Sequence, residues 1–542
     1  MPFFSSSGAM PLRLGGVALA LAVTGIAPGK ASARVEIAPY IEVDQTVVTD
    51  IKGGDGDLLT YTTLAVGADG SVATRRAEAQ VSLRYEHQFG WNRRTPDQDI
   101  FSGVARARYW AIPETLSLEA SGFASRVRSD GFYGANNSLV SAGKATDDVY
   151  SFYVGPTLTT HIDDLFVNAA YRFGYTEIDT DVGFDSSGNR QHYGAYGDST
   201  FHSLTGSVGM KPGDLPFGWV VSAGYDRENS SELKQRYTDA WVRGDVTVPV
   251  TPTVALVGGV GYEKIRITQQ SVLVDTVTGL PVIDDNGNYA GDPSVPRVIA
   301  YDTDGIMWDV GVLWRPSRRT SLEVRVGRRY DSMHYVGTFN WQTGPGGSFQ
   351  IAYFDTIDSF GRGLNNSLST LPFAFDAMRN PFTGDLTGCL SGESGVDCLN
   401  DALAGITAAN YRRRGVQAQY SLSQGRWNWG VGLGWSQRKF LAPDTGVLAV
   451  VNGLKDDYYY GTGFVGVRLD AASSLTGTVY GNYMDSGMGG VNVSNYGAWV
   501  TYARQYGRRL TGHASVGLDA LDATDVEQII SLLGRIGVRY QF

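Results

Sequence analysis

The chain has 542 residues, a formal net charge of −10, 18% charged residues, 69 glycines, 30 tyrosines and two cysteines. The acidic balance argues against nucleic acid as a partner, and the low charge with abundant glycine and tyrosine fits an exported β protein. No further substrate class follows from charge alone, since acidic surface loops give the same total.

In chain order, the first element is a secretory signal peptide over residues 1–33. Arg13 supplies the positive start, Leu14–Ile26 the short apolar core, and Ala31-Ser32-Ala33 the cleavage site. The apolar core is shorter than the roughly 20 residues that span a bilayer. No later stretch approaches that length, so no transmembrane helix is expected. Without residues 1–33 the formal charge becomes −12, because Arg13 and Lys30 are lost with no acid.

From Arg34 to Phe542 a single pattern repeats with no domain boundary. A segment of alternating polarity is followed by a turn, a second such segment, and a longer polar loop. In Arg75–Phe89, Ala77, Ala79, Val81, Leu83, Tyr85 and Phe89 share one face, and Arg76, Glu78, Gln80, Arg84 and Glu86 share the other. Leu165–Thr176 and Trp427–Ser436 alternate in the same way. A period of two is the pleat of a β-strand. A soluble sandwich gives the same alternation. The apolar faces here, however, end in Tyr, Trp and Phe close to the turns, as an aromatic girdle requires.

Short connections are expected at Ala68–Ser71, Ile112–Thr115, His161–Asp164, Lys211–Pro216, Val250–Thr253 and onward to Gln505–Arg508. They alternate with long links such as Arg126–Asp147, Glu177–Asp198, Thr268–Tyr301, Thr356–Ala409 and Lys439–Asp456. Short periplasmic turns opposite long extracellular loops define an outer-membrane barrel. The expected fold is therefore all-β, a closed antiparallel transmembrane β-barrel. The count is about 22 strands, within roughly 20 to 24 given uncertain boundaries. Closure is required because every backbone amide inside hydrocarbon must be bonded.

Within this frame the polar faces supply candidate lumen-lining residues: Arg76, Glu78, Arg84, Glu86, Arg106 and Arg108 in the first third. Arg172, Glu323, Arg325, Arg329, Arg535 and Arg539 follow later. They form either a charged pore wall that biases which solutes pass, or cross-strand ion pairs that stiffen the wall. The link Thr356–Ala409 holds Cys389 and Cys398, nine apart, which in an oxidising compartment pair as a local disulfide. It also carries the apolar patch Leu371–Phe375. The link could fold inward as a constriction, cap the mouth, or stay a plain surface loop. Asp284–Asn288 resembles part of a calcium loop but lacks the terminal glutamate, so weak or no calcium binding is expected. The six histidines are scattered and lie in no nucleophile or zinc motif. No metal, cofactor or catalytic residue is assigned, and an enzyme assembled from distant strands is the least favoured reading.

At the C-terminus, Ile536, Val538, Tyr540 and Phe542 share an apolar face, with Arg535 and Arg539 on the other. This aromatic-ended strand resembles the signal by which the bacterial barrel-assembly machinery recognises its substrates. Gly327–Trp341, Ser348–Thr356 and Asn410–Tyr420 resemble segments of the β-barrel porins related to PEP-CTERM/exosortase-associated outer-membrane proteins. That resemblance covers the last third best and supplies no functional residues. Thr343–Gly347 departs from the group's usual polar turn, and the cysteine-bearing loop is long. The resemblance implies an outer-membrane location and an association with exopolysaccharide or surface-protein systems.

No plug-sized segment precedes the expected first strand, Val35–Val48, which argues against an energy-coupled siderophore transporter despite the similar strand number. The expected function is passive, porin-like diffusion of small solutes. The runner-up is a component of exopolysaccharide or surface-polymer export. Expected partners are outer-membrane lipids and lipopolysaccharide, the assembly machinery and small solutes; oligomeric state is open.

Overall fold

The computed structural model describes residues 34–542 except 55–57, 92–96, 129–145, 180–195, 285–286, 374, 393–394, 400–402, 404–405 and 488–491. The signal peptide, residues 1–33, lies outside the described residues.

Twenty-two antiparallel strands form one sheet. They are β1 (Arg34–Lys52), β2 (Leu58–Ala73), β3 (Ala77–Gly90), β4 (Gln98–Ile112), β5 (Leu116–Arg128), β6 (Thr146–Ile162) and β7 (Leu165–Asp179). Next come β8 (Asp198–Met210), β9 (Gly218–Ser230), β10 (Arg236–Pro249), β11 (Val254–Gln269), β12 (Val298–Ser317), β13 (Thr320–Arg329) and β14 (Ser332–Gly344). The last are β15 (Gly347–Asp358), β16 (Asn410–Gln424), β17 (Trp427–Leu441), β18 (Lys455–Arg468), β19 (Ser473–Asp485), β20 (Asn492–Tyr506), β21 (Leu510–Ala523) and β22 (Val526–Gln541). Each strand pairs with the next. β1 also pairs with β22, from Tyr40↔Gln541 to Thr49↔Leu532, and the sheet closes without an edge. No described helix is long and apolar enough to cross a membrane.

The burial is inverted relative to a soluble protein. Ile306 is 69% exposed and Val479 58%, whereas Asp44 is 1% and Arg84 2% exposed. Outward rings gather near both ends of the wall. Trp314, Trp341, Trp427, Tyr506 and Tyr540 lie near the short turns, and Tyr225, Tyr262, Trp308, Tyr335 and Tyr483 lie toward the opposite end. An exposed apolar band bounded by two aromatic belts matches a hydrocarbon slab.

Some boundaries differ from the sequence expectation. Ala68–Ser71 is not a turn: it lies inside β2, and the chain reverses at 74–76. Asp69 reads as a turn residue, but its carboxylate accepts a bond from Ser82 Oγ at 2.8 Å, and the ladder continues past Gly70. β1 runs to Lys52, four residues beyond the expected end.

Inward aromatic rings account for several of the glycines. The Tyr460 ring lies over Gly434 on the adjacent strand and the Tyr480 ring over Gly497. A Cβ at either glycine would collide with ring atoms. Gly434→Val is expected to destabilise the barrel by about 1–3 kcal/mol through overpacking. The measurement is the temperature at which the folded, fast-migrating gel form is lost; an unchanged temperature would show that the ring moves freely.

Candidate functional site

The lumen face is built by the pleat. On β1 it carries Tyr40, Glu42 and Asp44, and on β3 Arg84 and Glu86. The intervening positions of β2 are Thr63, Ala65 and Gly67. These short side chains let the charges of β1 and β3 meet across β2. Arg84 bonds Glu42 at 3.1 Å and Glu86 at 2.7 Å. From β22, Arg535 bonds Glu42 at 2.6 Å and also pairs with Asp44, while Arg539 bonds Glu42 at 2.7 Å and lies 3.8 Å from the Tyr40 ring centre. His513 of β21 meets Asp44 at 2.6 Å. Glu42, Asp44 and His513 stand close enough to share a cation. Arg535 already occupies both carboxylates, so guanidinium groups supply the positive charge that a metal would bring.

A second group lies on β10–β13. Arg243 bonds Asp245 at 2.8 Å and Asp309 at 2.6 Å, and Arg325 bonds Asp245 at 2.8 Å and Glu323 at 2.7 Å. Arg329 pairs with Glu263. On β4, Arg108 bonds Glu119 at 2.7 Å, and Glu78 is the Cα partner of Arg108 in the ladder. Arg172 is half-buried on β7. Arg76 is not on the wall: it sits exposed in the turn at 74–76. Ile536, Val538, Tyr540 and Phe542 all face outward and are exposed. The described histidines stay on separate strands and are not brought together.

The described residues of the segment 359–409 enter the lumen. Its helix α1 (Phe360–Thr370) begins where the Ser359 hydroxyl accepts the Arg362 N–H, an N-cap. Phe360, Leu364 and Leu368, spaced four apart, are fully buried against β4–β7 side chains including Val104, Phe123 and Val149. Polar anchors fix the rest. Arg362 bonds Glu228 at 2.8 Å, and Asn365 Nδ2 donates to Thr176 at 2.8 Å. Arg106 donates to the Ser369 carbonyl at 2.9 Å, with the Phe373 ring centre 4.0 Å away.

The chain then turns at Pro381–Thr383, deep in the barrel. Arg535 donates to the Pro381 carbonyl, Tyr61 Oη donates to the Phe382 carbonyl at 2.9 Å, and the Phe382 ring packs with Trp499 and Tyr480. Arg126 grips Asp385 on the return, at 2.6 Å. The segment therefore runs from the β4–β9 wall to the β19–β22 wall, held at each side by arginines. Of the three placements open from the sequence, this is the inward one. Cys389 and Cys398 are direct backbone partners in a small ladder, which brings the two positions together. Their side chains lie outside the described residues.

Sequence reasoning missed α1. The Phe360, Leu364, Leu368, Leu371 spacing was its signal, diluted by the surrounding Gly, Asn and Ser. It also missed Glu42, Asp44, Arg243, Asp245 and Asp309, which alternate on strands as legibly as the residues singled out.

At the end bearing the long loops, Glu232 is buried in the β9–β10 connection and accepts the Tyr289 N–H at 3.3 Å. Burial pushes its carboxyl up to about 8, and Asp284 adds to the rise. A raised acid favours the docked loop below its ordinary value of 4.5, and that contribution is lost as pH rises to about 8. Proteolysis of the 270–297 loop is therefore expected to quicken between these limits, and Glu232→Gln should flatten the dependence.

No protein-family model and no curated protein matches the chain, but solved structures do. The FrpB iron transporter from Neisseria meningitidis aligns at 12% identity and TM-score 0.45, covering 93% of this chain and 82% of that one. The ferric-catecholate import receptor Fiu from E. coli K12, in its closed form, aligns at 10% and 0.43, covering 93% and 82%. The copper transporter OprC aligns at 9% and 0.40, covering 94% and 80%. At such values the fold assignment rests on the strand register itself.

Proposed function

We propose that the chain is an outer-membrane channel through which small solutes diffuse passively, narrowed by the segment 359–409. The short-turn end is the periplasmic one and the long loops face outward from the cell. One observation carries this reading: apolar side chains cover the outside while ionised ones line the inside of a closed wall. Ionised groups need water or partners, and the inner-wall pair Arg325 and Glu323, 21% and 37% exposed, suits a wet lumen. At a strand spacing of about 4.8 Å and a tilt near 40°, twenty-two strands enclose roughly 40 Å between backbones. A segment of this length, anchored along part of the wall, constricts such a bore without filling it.

On this reading the C-terminal strand is what the assembly machinery engages, and lipid and lipopolysaccharide contact the exposed band. Surface-polymer export is the second reading, favoured by the resemblance of Gly327–Trp341. Planar-bilayer recording of refolded protein tests the first: discrete, ohmic conductance steps are expected. A barrel that inserts but conducts no ions would overturn it.

A further inference from the structure

The lumen wall is divided lengthwise into two chemically different arcs. The charged groups described above all stand on β21, β22 and β1–β13. On β14–β20 the alternation is equally regular, with Tyr335, Trp427, Leu433, Val465, Val479 and Val500 outward and exposed. Their lumen-facing positions, between the level of Arg413, Arg438 and Asp456 and that of Arg468, carry no side chain that is charged at neutral pH among the described residues. Asn340, Gln350, Gln417, Thr462, Thr478 and Thr501 represent six of these strands. β17 contributes Gly430, Gly432 and Gly434. Seven neighbouring strands uncharged over this span, facing a wall dense with charge, form a coherent surface.

We infer that this uncharged arc is the contact surface for neutral polyhydroxylated solutes, sugars and their short oligomers. The inference rests on the diffusion reading above and names the solute class of that lumen.

The chemistry matches in three respects. A sugar hydroxyl both donates and accepts, as do the amides of Gln350, Gln417 and Gln419 and the hydroxyl of Thr462. Gln419 already donates to Gln350 at 2.6 Å, which shows that these amides reach one another across the strands. Second, a wall of guanidinium and carboxylate groups holds its water and counter-ions tightly. Amides and hydroxyls exchange water for solute at little net cost. Third, the half-buried Phe464 ring stands on the lumen face two residues from Thr462. A pyranose can lie flat there, with its C–H face on the ring and its hydroxyls toward the amides. Binding at such a surface is weak and repeated, which is what passage requires.

The test uses the whole refolded protein in planar bilayers, with maltohexaose as the neutral probe and a hexamer of galacturonic acid as the charged one of similar size. Maltohexaose is expected to interrupt the open-channel current in a concentration-dependent way, and the acidic hexamer to do so at least about tenfold less effectively. Gln417→Arg should weaken the maltohexaose block about tenfold with the ion conductance kept. Gln350→Lys serves as a second variant should the first fail to fold. Arg325→Gln, on the charged arc, should leave the block unchanged.

A channel that conducts but is not blocked by maltohexaose overturns this inference and leaves the diffusion reading standing. So does a block that Gln417→Arg and Gln350→Lys leave intact, or one that Arg325→Gln weakens equally. A barrel that conducts nothing overturns both.

Discussion

Replacing residues 372–405 with a short Gly-Ser linker is expected to raise single-channel conductance roughly threefold, because the excised stretch holds the part of the segment that crosses the bore. The linker leaves α1 in place, so Phe360, Leu364 and Leu368 keep their packing on the wall. What disappears is the turn at Pro381–Thr383 with its hold on Arg535 and Tyr61, the Asp385–Arg126 pair, and the Phe375, Leu386, Leu399 and Leu403 side of the cluster around α1. Arg535 retains Glu42 and Asp44 after the excision, so the wall keeps its own ion pairs and the variant should still fold. An intermediate rise is expected for Phe382→Ala, which loosens the tip without removing it. Equal conductance in the excised and intact proteins would show that the segment does not limit flow.

Glu42→Ala should lower barrel stability by about 3–5 kcal/mol, the usual cost of removing one partner from a buried ionic group. Glu42 is 4% exposed and accepts from Arg84, Arg535 and Arg539 together. Its removal leaves three guanidiniums facing Asp44, Glu86 and Asp69. Glu42 also sits on the seam where β1 closes against β22, so the loss falls where the cylinder is joined. Thermal unfolding in detergent checks this, with the drop expected to be partly recovered in Glu42→Ala/Arg84→Ala. Arg539→Ala should cost less, because that side chain is one-third exposed and exchanges its partner for water. A Glu42→Ala barrel as heat-stable as the parent would mean that the cluster contributes nothing to closure.

The wall was legible in the sequence because a strand reports its two faces locally. Ile536, Val538 and Tyr540 alternate with Arg535 and Arg539 whatever the neighbours are, and outward exposure of the first set is what alternation predicts. Strand ends were less legible where turn-forming residues continue a ladder. Asp69 and Gly70 read as a turn only until the Ser82 hydroxyl and the facing β1 backbone are known. For the same reason Arg76, expected on the wall, is on the turn.

Which lumen charges meet could not be read at all. Arg84 reaches Glu42 over Ala65 and Gly67, a contact set by three strands at once. The placement of 359–409 was equally hidden, since its anchors on Glu228, Thr176, Arg126 and Arg535 lie far away in the chain. Its helix was missed as well, although the four-residue spacing of Phe360, Leu364 and Leu368 carried a signal for it.

The most direct measurement is thiol labelling along β18, in a background with Cys389 and Cys398 replaced by serine, using a membrane-impermeant reagent on protein in lipid vesicles. Cysteine at Thr462 or Gly466 is expected to react, and cysteine at Gly461, Gly463 or Val465 to stay protected by lipid. Reaction at the odd positions with protection of the even ones, or equal reaction at both, would contradict a lipid-facing apolar exterior around a hydrated interior.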